Sequence, residues 1–247
     1  MAHSTPNAGL IIIGNEILSG QTQDSNVHFI GQKLTQIGVI LRQTSIIPDI
    51  EEDIIETVRR YSKQYNTVFT TGGLGPTHDD ITAAAMAKAF ETSLETHLEA
   101  KEMLMKHYGE RINEARLRMA LIPLGASLIP NPVSVAPGFH IRNVFVMAGV
   151  PQIVQGMMEY VLPKLVQGPP IFTKTIRARL PESILANQLR AIQESFFDVQ
   201  IGSYPYFSMG SFGTSLVVKG QNQTSVSNAT KAILALIEQL EGTASIE

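Results

Sequence analysis

The strongest constraint on this chain is an alternation in its first third. A short apolar run closed by glycine is followed by a stretch with helical periodicity, and the pair repeats. Gly9 to Gly14 (GLIIIG) suits a strand buried on both faces, since no position in it is polar. Val27, Ile30, Leu34 and Ile37 then recur at spacings of three and four, which is one face of a helix, and Gly38 stands where a helix C-terminal glycine belongs. Val39 to Ile47 reads as the next strand. Ile54, Val58, Tyr61 and Tyr65 form a second helical stripe, and Val68 to Thr71 is a strand that runs into Gly72-Gly73. Strands joined through helices run the same way, so this β-α-β-α-β order predicts a parallel sheet with right-handed crossovers.

Thr82 to Phe90 continues as a helix. The polar stretch from Leu94 to Met119 reads as one or two surface helices. Short strands are expected at 126–129, 138–141 and 144–147, around the turn-rich Asn131 to Pro137, and Pro151 to Leu165 opens as a helix with proline in its first turn. Gln167-Gly168-Pro169-Pro170 is the best linker. Beyond it the order changes to a strand (171–179), a helix (181–196), two strands (199–204 and 214–219) and a last helix carrying Ile233, Leu236, Ile237 and Leu240. The expected architecture is an α/β domain over 1–166, three layers (α/β/α) around a mostly parallel sheet, with a smaller α+β module of βαββα order over 171–247.

Composition removes several function classes. The chain has 19 lysines and arginines against 22 aspartates and glutamates, a net charge of −3. That is no bulk field for nucleic acid, which is not expected as a partner. Cysteine is absent, so disulfides, thiolate nucleophiles and cysteine-bound metals are excluded. The first residues show no basic, signal-like start, and no run approaches the ~18 apolar residues of a membrane span. A cytoplasmic protein with no membrane partner is expected. The six histidines (His3, His28, His78, His97, His107, His140) fall in no zinc-binding spacing, and no G-x-S-x-G elbow marks a serine nucleophile.

The most informative string runs from Thr70 to Thr82: TTGGLGPTHDDIT. It leaves a buried strand and enters a helix, where ligands of open parallel sheets bind and where free N–H groups favour anions. It is not a Walker loop, having no lysine, nor a dinucleotide fingerprint, since His78 stands where the third glycine would be. Gly72, Gly73 and Gly75 let the backbone approach a ligand. The adjacent Asp79 and Asp80 would repel a phosphate unless a hard divalent cation took both kinds of oxygen. Asp80 could equally be the N-cap of the following helix. Asp49 follows the strand ending at Ile47-Pro48 and falls on the same rim, though Asp49 to Glu52 also has the spacing of a capping box. Glu16, in Gly14-Asn15-Glu16, lies on that rim too. Asp24 and Asn26 read as caps of the first helix, and His78 as a phosphate contact, a water orienter or a surface turn residue.

These residues resemble the MoaB/Mog molybdopterin-binding superfamily. The glycine string with Asp80 is similar to its TGG-x-GP…D signature, and Ile47-Pro48-Asp49 to the position of its other functional aspartate. Gly14 to Gly20 (GNEILSG), Asn131-Pro132-Val133 and Ala136 to Phe139 (APGF) resemble the N-terminal domain of the competence/damage-inducible CinA proteins. Gly20 to Asp24 (GQTQD), Gly75 to Asp80 (GPTHDD) and Gly202 to Pro205 (GSYP) resemble the molybdopterin-binding-like domain of eukaryotic FAD synthases, as does Gly149-Val150-Pro151 where CinA proteins have Gly-Pro-Pro. No stretch up to Glu247 resembles the CinA deamidase domain or the FAD-synthase adenylyltransferase domain, so neither activity is expected of these residues.

The resemblance implies a nucleotide pyrophosphatase that hydrolyses a substrate of the FAD or ADP-ribose class with a divalent metal (Mg²⁺, Mn²⁺ or Co²⁺). Asp49 and Asp80 are then the catalytic metal ligands. Gly14, Glu16, Gly72, Gly73, Gly75, Thr77, His78, Asp79, Ser134, Gly138 and Gly149 are expected to border a nucleotide diphosphate or pterin. The alternative is a molybdopterin carrier or adenylyltransferase of molybdenum cofactor synthesis, and a third is a noncatalytic binding module. Relatives imply a homo-oligomer, dimer or trimer.

Overall fold

The computed structural model describes residues 5–208 and 211–246, so His3 lies outside the described residues. The chain forms two compact units, Met1–Gly168 and Pro169–Glu247.

The first unit runs β1 (Asn7–Ile13), α1 (Asn15–Leu18), α2 (Asn26–Gln36), β2 (Ile40–Ile47), α3 (Glu51–Gln64), β3 (Thr67–Thr71), α4 (Thr82–Ala89), β4 (Leu94–Thr96), α5 (Leu98–Tyr108), α6 (Glu114–Arg118), β5 (Leu121–Pro123), β6 (Ser127–Ile129), β7 (Gly138–Ile141), β8 (Val144–Met147) and α7 (Pro151–Val161). Its six-stranded sheet has the order β2-β1-β3-β8-β7-β6. The four strands β2, β1, β3 and β8 are parallel, and β7 and β6 are antiparallel additions at one edge. The sheet is thus mixed and mostly parallel. The reversal follows from the two-residue connection Arg142-Asn143 between β7 and β8, with Arg142 at φ 53°, which can only make a hairpin.

Alternation along the central strands builds two cores. Ile11, Ile13, Val68 and Val146 face one way, packing with Ile54, Val58 and Met86 of α3 and α4. Leu10, Ile12, Phe69, Phe145 and Met147 face the other, with Ile30 and Leu34 of α2 and Val154, Met157 and Met158 of α7. Strands buried on both faces carry no polar stripe, which is why they read as continuous apolar runs. Gly38, at φ 70°, closes α2 as expected: its N–H donates to the Thr35 carbonyl and that of Val39 to Leu34.

The polar stretch 94–119 does contain two helices, but it also supplies β4 and, just beyond, β5, which pair antiparallel as a separate two-stranded sheet. Three residues each is too short for a strand period to register.

On β7, the His140 ring stacks on Phe145 with centroids 4.0 Å apart. Burial, reinforced by the Lys164 charge, pushes its imidazole below the usual histidine pKa. The folded state therefore takes up this proton less readily than the unfolded chain. Its stability is full above the ordinary value of about 6.5 and falls as pH drops through it. Thermal melts from pH 8 to 5 should show this loss, and His140→Phe should reduce the slope; an unchanged slope would rule out His140 as its source.

The second unit runs β9 (Phe172–Ala178), α8 (Glu182–Ser195), β10 (Val199–Ser208), β11 (Ser211–Gly220), α9 (Gln223–Gln239) and β12 (Ala244–Ile246). Its sheet, β10-β11-β9-β12, is antiparallel throughout. Leu185 and Leu189 of α8 and Ile233 and Ile237 of α9 pack on Ile176, Leu216 and Val218. Two corrections to the βαββα expectation follow. The hairpin strands are longer than their apolar cores, because cross-strand bonding continues through Tyr204 to Ser208. A final strand, β12, has three exposed residues and hence no burial pattern to reveal it. No helix among the described residues is long and apolar enough to cross a membrane.

Candidate functional site

The carboxyl ends of the parallel strands form one rim. Registers place Ile13 opposite Ile47, Ile12 opposite Thr71, and Thr71 opposite Met147, so the chain leaves the sheet at one level after β1, β2, β3 and β8. β7 runs antiparallel with Phe139 opposite Val146, which brings its N-terminus, Gly138, and the preceding loop to the same rim. Asp49, Gly14, Glu16, the 72–80 string, Gly149 and Ser134 thus all lie on the side of the sheet where open α/β folds bind ligands.

Close backbone approach explains several of the glycines. Gly72 has φ +108°, and a Cβ there would overlap the carbonyl oxygen of Ile13; Gly73 has φ +63°, and its Cβ would overlap Thr82 Oγ1. Thr82 Oγ1 donates to the Gly72 carbonyl at 3.0 Å, and the Gly72 N–H donates to Met147 O at 3.2 Å, so the loop is fastened to β8 and α4. A Cβ on Gly149 would sit 3.3 Å from Gly72 Cα. A Cβ on Gly138 would overlap the Val146 carbonyl, so its role in this structure is to let β7 lie against β8. Gly14 is capped by the folded-back Glu16, whose carboxylate oxygens would stand 2.5 and 2.6 Å from a Cβ there.

Asp80 is not the N-cap of α4. That position belongs to Ile81, without a side-chain bond. Asp80 instead turns back into the loop: its Oδ2 accepts from Thr77 N at 2.8 Å and from Thr77 Oγ1 at 2.5 Å. Gly75 must be glycine for this, since a Cβ would lie 2.5 Å from Asp80 Oδ2. Thr77 Oγ1 also lies 2.5 Å from Asp79 Oδ1. That hydroxyl, followed by the backbone N–H of Asp79 itself and the His78 charge, holds the exposed Asp79 carboxyl below the usual carboxylate range.

The capping box over Asp49 to Glu52 is also absent. Ile50 occupies the N-cap of α3 with no side-chain bond. Asp49 Oδ2 accepts from Asn15 N at 2.8 Å and so ties the β2 loop to the β1 loop. β1 separates β2 from β3, so the ends bearing the Asp49 and Asp80 loops are two strand spacings apart, about 10 Å. Asp24 stands one residue before the α2 N-cap, Ser25, but still satisfies the first amides of the helix, its Oδ1 accepting from Val27 N at 3.0 Å and its Oδ2 from Asn26 N at 3.3 Å. Asn26 does not cap; it is buried, and its Nδ2 donates to Gly149 O at 2.8 Å. Asn131 orders the Ser134 loop by donating to Ser134 Oγ and Ala136 O and accepting from the Val133 and Ser134 amides.

A cavity of about 190 Å³ opens beside the loop. Gly73, Gly75, Thr77, His78 and Asp80 line it, with Leu74, Met119, Ile122 and Phe139 supplying apolar wall. Gly14, Glu16, Asp49, Ser134 and Gly149 are on the rim but not in this cavity. Arg118 also lines it and was not singled out in the sequence; its nearest partner, Pro76, is 42 positions away, and nothing local marks it. Among the described residues no three His, Asp or Glu side chains group as a metal site.

Residues 9–167 match the family described as "Probable molybdopterin binding domain", and 170–242 match "FAD synthase, middle domain". A protein of Pyrobaculum calidifontis is 37% identical over 213 residues, covering 81% of this chain and 81% of that protein. One of Archaeoglobus fulgidus is 36% identical over 196 residues, covering 79% and 84% respectively. Among solved structures, the CinA protein of Thermoplasma acidophilum, described as of unknown function, superposes with a TM-score of 0.62 at 34% identity, covering 66% of this chain and 99% of that one. With the rim, its glycine loop and a match spanning well over half the residues, the chain belongs to the molybdopterin-binding-domain family.

Proposed function

We propose that this protein is a divalent-metal-dependent hydrolase of a nucleotide pyrophosphate of the FAD or ADP-ribose class. One observation carries the reading. The adjacent carboxylates of Asp79 and Asp80 both turn onto the hydroxyl of Thr77 beside the glycine loop, which concentrates hard anionic oxygen there. That donor set fits Mg²⁺, Mn²⁺ or Co²⁺. Among the described residues no third acidic or histidine side chain joins such a pair, and an ion there would complete its shell with water and substrate phosphate. Asp80 would hold the ion, and Asp49, on the loop two strand spacings away, would reach it directly or through water; each has one carboxylate oxygen bonded to a backbone N–H and the other available. When bound, such an ion offsets charge on the anhydride and makes an attacking water more acidic.

The chain's own residues do the rest. Backbone amides at Gly73 and Gly75 would face the anhydride without side chains in the way, while Gly72, its N–H spent on the Met147 carbonyl, shapes the turn that presents them; Gly14, Ser134, Gly138 and Gly149 would border the remainder of the nucleotide. Asp79, kept ionised, suits charge placement better than proton uptake, because a depressed pKa makes a weak base. That leaves His78, in the cavity, and Glu16, over Gly14, as the proton acceptors. The match of the second unit to an FAD synthase domain favours a flavin or adenosine diphosphate over a pterin. The family description favours the second reading, a molybdopterin-binding or adenylylating protein. Incubation with FAD or ADP-ribose and each of the three metals should release AMP. No release with any metal would reject hydrolysis, and pterin binding in its place would establish the second reading.

A further inference from the structure

Arg118 ends α6, in the segment that leaves the main sheet between α4 and β5. Its Nη2 donates to the Pro76 carbonyl at 2.7 Å, and the residue lines the cavity beside Gly75, Thr77 and Asp80. The peptide unit between Pro76 and Thr77 is therefore held at both ends: its C=O by Arg118, its N–H by Asp80. Among the described residues Arg118 makes no ion pair, whereas Arg59 and Lys88 each bridge to a glutamate. A guanidinium has five N–H donors and no acceptor, stays charged at any working pH, and matches phosphate oxygens with its fork. One donor is committed to Pro76, and the residue lines the cavity together with Gly73, Gly75 and Thr77 of the loop.

We propose that Arg118 is a phosphate-binding residue of this site: held by the Pro76 carbonyl, its guanidinium pairs with a phosphate oxygen of a nucleoside diphosphate lying on the 72–77 loop. This rests on the loop being a pyrophosphate cradle, and it goes further. The anion is gripped by a protein-borne positive charge from outside the sheet, independently of any metal.

Binding, not turnover, tests it. The full chain is titrated calorimetrically with ADP-ribose and with inorganic pyrophosphate, each with and without Mg²⁺. Arg118→Gln keeps an N–H for the Pro76 carbonyl but loses the charge. Arg118→Lys keeps the charge but loses the fork. Both Arg118→Gln and Arg118→Ala should weaken metal-free binding by about 10- to 100-fold, Arg118→Lys should recover part of it, and Arg118→Gln should flatten the salt dependence. If Arg118→Gln binds as tightly as the unmodified protein, Arg118 is only a brace for the loop and the proposal is overturned, while the cradle stands. If the unmodified protein binds neither probe under any condition, both fall. Melting curves accompany each variant, and should Arg118→Ala fail to fold, the glutamine and lysine variants decide the question.

Discussion

Asp80→Asn is expected to lower AMP release from FAD or ADP-ribose by roughly three orders of magnitude, because charge stabilisation by a hard cation contributes several kcal/mol and each 1.36 kcal/mol is tenfold in rate. The fold should survive. The bond from Thr77 N to Asp80 Oδ2 needs only an acceptor, which the amide oxygen of asparagine supplies. The substitution thus removes a negative charge while keeping the loop brace, and a melting temperature within about 2 °C of the unmodified protein would confirm the separation. Asp49→Asn should behave alike, since Asp49 Oδ2 likewise accepts a backbone N–H, from Asn15. If both variants turn over at the original rate, the carboxylates are loop braces alone and hydrolysis does not use them.

Gly72→Ala should have the largest effect on stability. Its Cβ would overlap the carbonyl oxygen of Ile13, and the clash is backbone against side chain with no flexible neighbour to yield. At φ +108° an L side chain is strained as well. Together these should cost about 3–5 kcal/mol, a drop in melting temperature of roughly 10 °C for a unit of this size. Gly20→Ala is the matched control. Gly20 has φ +73° but nothing within 4 Å of a Cβ, so only the strain of about 1–2 kcal/mol should appear. Equal losses at the two positions would show that the close passage of β1 and β3 carries no weight.

Two loops show how far local chemistry could be read along the chain. Thr70 to Thr82 read as a tight glycine turn between strand and helix, and Gly72 and Gly73 do adopt left-handed φ there. Local spacing nevertheless left a capping reading open for the acids beside it, and the structure does not bear that reading out. Asp80 and Asp49 each stand where helix caps stand, and each instead spends its carboxylate elsewhere: Asp80 on Thr77 within its own loop, Asp49 on Asn15, which is 34 residues away. A cap and a cross-loop brace have the same residue type at the same place, and only the position of the competing N–H distinguishes them. Asn26 follows the same logic, its amide reaching Gly149 across 123 positions.

Periodicity and glycine placement were enough to specify the strands buried on both faces, the helices packed on them and the change of order at the 167–170 linker, because burial imposes its period on every residue of such elements. The short β4 and β12, with three residues each and little burial, left no such record. Nor did the membership of the cavity, where Arg118 joins a loop 42 residues upstream. Contacts of that kind depend on where distant segments come to rest after the sheet has closed, and no pattern local to either segment encodes them.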